Sequence, residues 1–133
     1  MYLIGDIGNT DIKICLYNKN LQLIRQIRFK TSLLNKKYIE KKLKFIKRHK
    51  SQIIKILFSS VVPIAYKEIK KSIEKLVKIK CIELKKLKLR KLLKINVNKK
   101  QIGSDRLANA VASIDQKNNF IIVDFGTATN FDV

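Results

Sequence analysis

The 133-residue sequence has few of the residues that staple small proteins or bind metals: two cysteines, one histidine and one proline. Cys15 and Cys81 are far apart and have no partner motif, which excludes a disulfide framework and a cysteine-based metal site. Both are expected as small core residues. His49 lies in the basic run Lys47-Arg48-His49-Lys50 and reads as part of a solvated helix end, not as a ligand or a catalytic base. Long hydrophobic runs are absent too. Stretches such as Ile56-Leu57-Phe58 are far too short to span a bilayer. Asp6 and Asp11 interrupt the first apolar stretch and no basic region precedes it, so the N-terminus is no signal peptide. The expectation is a cytoplasmic chain with no membrane partner.

Negative charge is scarce: 10 Asp and Glu stand against 30 Lys and Arg, a net charge of +20. Such a balance invites a nucleic-acid reading. The basic residues are almost all lysines, however, spread along 36–50, 67–80 and 85–100 among Ile and Leu. Few arginines are left to read bases or grip phosphates bidentately. Solvated basic faces are the expected outcome. Nucleic acid is therefore not the expected partner.

What is present is ample core material, 46% hydrophobic residues in a length that suits one ordinary domain. Residues 2–8 and 11–17 read as strands, the second alternating Ile12, Ile14 and Leu16 with polar neighbours. Gly8-Asn9-Thr10 joins them as a hairpin turn. Asn18-Lys19-Asn20 marks a second turn and 21–29 a third strand. A helix is predicted over 34–49 with Ile39, Leu43 and Ile46 inward. A buried strand follows over 53–62, and Pro63 opens a second helix with Ile69, Ile73 and Leu76 inward. A strand at 80–84 leads to a basic stretch, to Asn98, that periodicity does not assign. A third helix starts near Ser104, with Leu107, Val111 and Ile114 inward, and 120–124 reads as another buried strand. Three antiparallel strands followed by alternating helices and strands make a mixed α/β layer.

The last segment, Phe120 to Thr127, repeats the pattern of the first: an apolar run, Asp, an apolar residue, Gly and a polar turn. The repeat, offset by about 118 residues, implies two similar domains. Residues 1–117 would form the first, including the helix start at Gly103–Arg106, and 118–133 would only begin the second. Val133 falls inside an expected strand whose edge would be unpaired, so the chain reads as cut short.

Three short motifs carry chemistry. In Asp6-Ile7-Gly8-Asn9-Thr10, with Lys13 beyond, a carboxylate ends a strand beside a Gly turn. It can face phosphates if Mg²⁺ lies between them. Gly8 allows close backbone approach, Asn9 and Thr10 add donors, and Lys13 neutralises charge. The plainer reading is a hairpin whose Asp and Asn make turn hydrogen bonds. In Gly103-Ser104-Asp105-Arg106, Ser104 and Asp105 suit a helix cap. A helix N-terminus also suits a negative charge, so Asp105 can accept a proton from a substrate hydroxyl. Arg106 can hold a carboxylate in a two-pronged contact. In Asp124-Phe125-Gly126-Thr127-Ala128-Thr129 the first device recurs, with Asp124 for a cation and Thr127 for a nucleotide phosphate. A second hairpin turn is its plainer reading.

Taken in order, these motifs and the segment Ser59-Ser60-Val61-Val62-Pro63 resemble those of type III pantothenate kinases. That family lies in the acetate and sugar kinase, Hsp70 and actin superfamily, and the resemblance covers the whole chain. It implies an actin-like (ribonuclease H-like) ATPase domain with a second domain only begun. It further implies transfer of the ATP γ-phosphoryl group to the pantothenate hydroxyl, the first step towards coenzyme A. By the resemblance, Asp6, Gly8, Asn9, Thr10, Lys13 and Thr127 contact ATP, with Asp6 reaching Mg²⁺ through phosphate. Asp105 is the general base. Gly103, Ser104, Asp105 and Arg106 meet pantothenate, and Asp124 binds potassium or ammonium. A homodimer is implied for the full-length protein, and little activity for these residues alone. The sequence departs from the family at 96–102, where a Tyr and a Pro are usual, at Ser104, where Ala is common, and at Asn130, where Thr is. Two other readings stay open: another small-molecule kinase of the superfamily, and a non-catalytic regulatory or nucleic-acid-binding protein on this fold.

Overall fold

The computed structural model describes residues 1–95, 101–115, 118–125 and 129–132. A five-stranded mixed sheet runs in the order β3-β2-β1-β4-β5, formed by β1 (Tyr2–Ile7), β2 (Asp11–Tyr17), β3 (Leu23–Lys30), β4 (Lys55–Ser60) and β5 (Cys81–Glu83). The first three strands pair antiparallel, whereas β4 lies parallel to both β1 and β5. This is the mixed α/β sheet of an actin-like ATPase domain.

The period-2 pattern sets the two faces of the sheet. Leu3, Ile7, Ile12, Ile14, Leu16, Ile56 and Phe58 are fully buried on one face. Against it pack α1 (Lys36–Lys42), α2 (Lys44–Lys47) and α3 (Pro63–Val77) through Ile39, Leu43, Ile46, Ile69 and Ile73. α4 (Ser104–Ala112) covers part of the other face, where Leu107 joins Leu84 and Leu89 against Leu57.

The structure corrects several boundaries. The predicted helix over 34–49 is two helices, because Leu43 leaves helical geometry (φ −85°, ψ 2°) while keeping its side chain in the core. Asn35 caps α1, its side chain accepting from the Tyr38 N–H at 2.9 Å. The third strand starts at Leu23, because Asn18 accepts from the N–H groups of Asn20 and Gln22 and holds Leu21 in a turn at φ 60°. Ile114 lies beyond the end of α4 and is exposed. Pro63 does open α3, as expected.

The strand expected over 120–124 does form, at Ile122–Phe125, but it is not buried. Among the described residues, β6 (Ile122–Phe125) pairs only with β7 (Thr129–Asp132), in a separate two-stranded antiparallel sheet. Phe120, Ile121, Val123, Phe125 and Phe131 are exposed. Their hydrophobicity is real, but no described layer covers them. Cys81 is buried and Cys15 partly so, in line with their expected packing role.

Candidate active site

Sheet register builds the centre of the site. Asp6 on β1 lies opposite Lys13 on β2 and opposite Ser59 on β4. Residues opposite one another across a sheet share a face, so Lys13, Asp6 and Ser59 form one row. That row lies on the face partly covered by α4, because the intervening Gly5 and Ile7 point into the opposite core. Gly5 is needed there. The Phe58 ring crosses directly over it, and a Cβ would overlap the ring.

The turn after Asp6 is held from outside. Gly8 N–H donates to the Asp11 carbonyl at 3.0 Å, the Thr31 hydroxyl donates to the Gly8 carbonyl at 2.8 Å, and Thr31 N–H donates to Thr10. Asn9 and Thr10 are left at the surface. Gly8 does not have a left-handed backbone, so its use is not conformational. Asp11 is bound by Arg28 at 2.7 Å and Lys30 at 3.3 Å, which secures the hairpin base to β3.

Asp105 stands in the first turn of α4. The expectation that Ser104 and Asp105 cap this helix does not hold. Gly103 occupies the cap position in extended geometry, and no side chain caps the helix. Asp105 folds back over Gly103, leaving no room for a Cβ there, and accepts from the Arg106 N–H at 2.9 Å. Ser104 is fully buried and its hydroxyl has no hydrogen-bond partner among the described residues. Arg106 reaches the Phe131 carbonyl of β7 at 3.3 Å, tying α4 to the second hairpin.

The electrostatics join the three motifs. Asp6 is exposed as a residue, yet partial desolvation of its carboxyl pushes it above its usual range, and the charges of Asp105 and Asp124 add to that effect. Ser59 and Lys13 act in the opposite direction. Asp105 and Asp124 therefore stand near enough for their charges to act on Asp6. Asp124 takes in β6 a place like that of Asp6 in β1: it lies opposite Asn130, one pair from the end of the ladder. Thr127 lies outside the described residues, as do 96–100 of the region where the sequence departs from the family.

Among the described residues, no three His, Cys, Asp or Glu side chains form a group able to hold a metal ion. The oxygen-only donor set nevertheless suits Mg²⁺, which is usually held by one or two carboxylates together with substrate phosphates. A cavity of about 800 Å³ lies elsewhere, between α1, α2 and α3 on the other face. It has an apolar floor of Tyr38, Leu43 and Leu76 and a rim of lysines. It touches none of the motif residues.

A family model described as type III pantothenate kinase matches residues 2–133. The chain belongs to the type III pantothenate kinase family. It is 52% identical over its whole length to a type III pantothenate kinase of Pelagibacter ubique, covering 54% of that protein. It is 39% identical to one of a Sulfurihydrogenibium species, covering 55% of it, and 32% identical to one of Thermus thermophilus, covering 54%. The chain thus spans about half the length of the curated relatives it matches.

Membership of this family was legible in the motifs. Two roles were not: that of Thr31, which holds the Gly8 turn, and that of Ser59, a residue of the 59–63 segment, which joins the Asp6 row. Both owe their place to pairings between distant segments. The one signal in the sequence was Ser59-Ser60 at the end of an apolar strand, where an exposed turn or a buried polar row fits equally well.

Proposed function

We propose that the protein carrying this chain phosphorylates the hydroxyl of pantothenate with ATP, giving 4'-phosphopantothenate on the way to coenzyme A. The observation that supports this most is the row of Lys13, Asp6 and Ser59 across β2, β1 and β4, beside which the charges of Asp105 and Asp124 act on Asp6. Three carboxylates beside a single row lysine, Lys13, suit a reaction in which cations and phosphates supply the balancing charge.

In this reading Gly8, Asn9, Thr10 and Lys13 receive the ATP phosphates, and Asp6 faces them through Mg²⁺, which neutralises charge on the transferred group when bound. Asp105 takes the proton of the pantothenate hydroxyl as that oxygen bonds to the γ-phosphorus. The bond from γ-phosphorus to the bridging oxygen breaks, and ADP leaves with the electron pair. Gly103, Ser104 and Arg106 position pantothenate, Asp124 serves a monovalent cation (potassium or ammonium), and Thr127 an ATP phosphate. Residues 1–117 form a first domain and 118–133 begin a second. The working protein is a cytoplasmic homodimer. Among the described residues, no helix is long and apolar enough to cross a membrane.

The test is a substrate panel. The purified protein carrying this chain, given ATP, Mg²⁺ and potassium, is expected to convert pantothenate to its phosphate ester, read by mass spectrometry. Phosphorylation of another small alcohol with none of pantothenate would favour the second reading, a different kinase of the superfamily. The altered stretch at 96–102 is the reason to include that comparison.

A further inference from the structure

Ser59 is the one member of the Lys13–Asp6–Ser59 row to which the family motifs give no task. Its neighbours on β4 have theirs. Phe58 fills the core over Gly5, and the Ser60 hydroxyl bonds both the N–H and the carbonyl of Val62 at the turn into α3. The Ser59 oxygen is buried and, among the described residues, closes no hydrogen bond of ordinary geometry. A buried hydroxyl without a partner costs about 1–3 kcal/mol. The acceptor beside it in the row is the Asp6 carboxylate. Lys13 flanks Asp6 on the other side, and Asp105 and Asp124 stand near enough to repel it. Those two charges favour turning Asp6 away, so a fixed donor on β4 has something to oppose.

We propose that Ser59 is a positioning residue for Asp6, its hydroxyl donating to the carboxylate and keeping that side chain in one rotamer. The proposal rests on the reading that Asp6 serves the ATP phosphates. Ser59→Ala is almost isosteric, so a purely space-filling role would leave activity unchanged.

The experiment compares Ser59→Ala, Ser59→Thr, Asp6→Asn and Asp6→Asn/Ser59→Ala in the protein carrying this chain. Ser59→Ala is expected to lower kcat/KM for Mg·ATP about tenfold, as for a hydrogen bond to a charged group, and to leave KM for pantothenate unchanged. Ser59→Thr should recover most of the loss, and the double variant should be no slower than Asp6→Asn alone. Unchanged kinetics in Ser59→Ala, or losses that multiply in the double variant, would overturn the proposal.

A second readout does not depend on the substrate. In the ligand-free chain, NMR scalar couplings should show one Asp6 χ1 rotamer, becoming averaged in Ser59→Ala. An averaged rotamer in the unsubstituted chain overturns the proposal even if pantothenate is phosphorylated. A fixed rotamer released by Ser59→Ala upholds it even if pantothenate is not the substrate.

Discussion

Two carboxylates of the first hairpin are driven in opposite directions. Hydrogen bonding from Arg28, helped by Lys30, holds Asp11 below the usual carboxylate range, whereas partial desolvation lifts Asp6 above it. Their linkage to stability therefore differs in sign. Asp11 adds stability that is present above its unfolded pKa and lost as pH falls through its folded one. Asp6 does the reverse, favouring the fold when protonated and losing that contribution as pH rises through its folded pKa. Thermal melts should show Asp11→Asn less stable than the parent at neutral pH, with the gap closing in acid. Asp6→Asn should melt higher than the parent at neutral pH and lose that advantage in acid, a stability cost of the kind active sites often carry. Asp6 was legible in the sequence as a carboxylate at the end of an apolar run beside Gly, and Asp11 as an interruption of the first apolar stretch. Their partners were not: Arg28 and Ser59 meet them only after β3 and β4 have taken their register.

Helices and strands were legible wherever hydrophobic period spoke clearly. Ile39, Leu43 and Ile46 share a face as spaced, and Ile69 and Ile73 do the same in α3. The break at Leu43 was hidden because its side chain fits the periodic pattern while its backbone leaves it. The misread cap at Ser104 has a similar origin, since backbone angles decide which residue caps, and Gly103 holds them. The close approach of Phe58 on β4 to Gly5 on β1 is also invisible in sequence. Gly5→Ala would push a methyl into the Phe58 ring, at a cost of about 1–3 kcal/mol by overpacking. Chemical denaturation should show that loss with no change in slope. Gly5→Ala/Phe58→Leu should recover part of it by making room.

Across the whole molecule, the five-stranded sheet has a core on one face and α4 on part of the other, whereas β6 and β7 pair only with each other among the described residues. An isolated two-stranded hairpin is marginal in water. Amide hydrogen exchange of this chain should therefore protect β1, β2 and β4 most, and β6 and β7 least. Equal protection would mean the second hairpin is packed more firmly than its exposed phenylalanines indicate. The net charge of +20 tests the non-catalytic reading. DNA binding that weakens steeply with salt and ignores nucleotide would support it.

The kinase account depends most on Asp105, the carboxylate in the first turn of α4 whose charge acts on Asp6. Asp105→Asn in the protein carrying this chain should cut pantothenate turnover by about 10²- to 10⁴-fold, with Mg·ATP binding by calorimetry retained. Turnover close to that of the parent, with Asn at 105, would contradict the account.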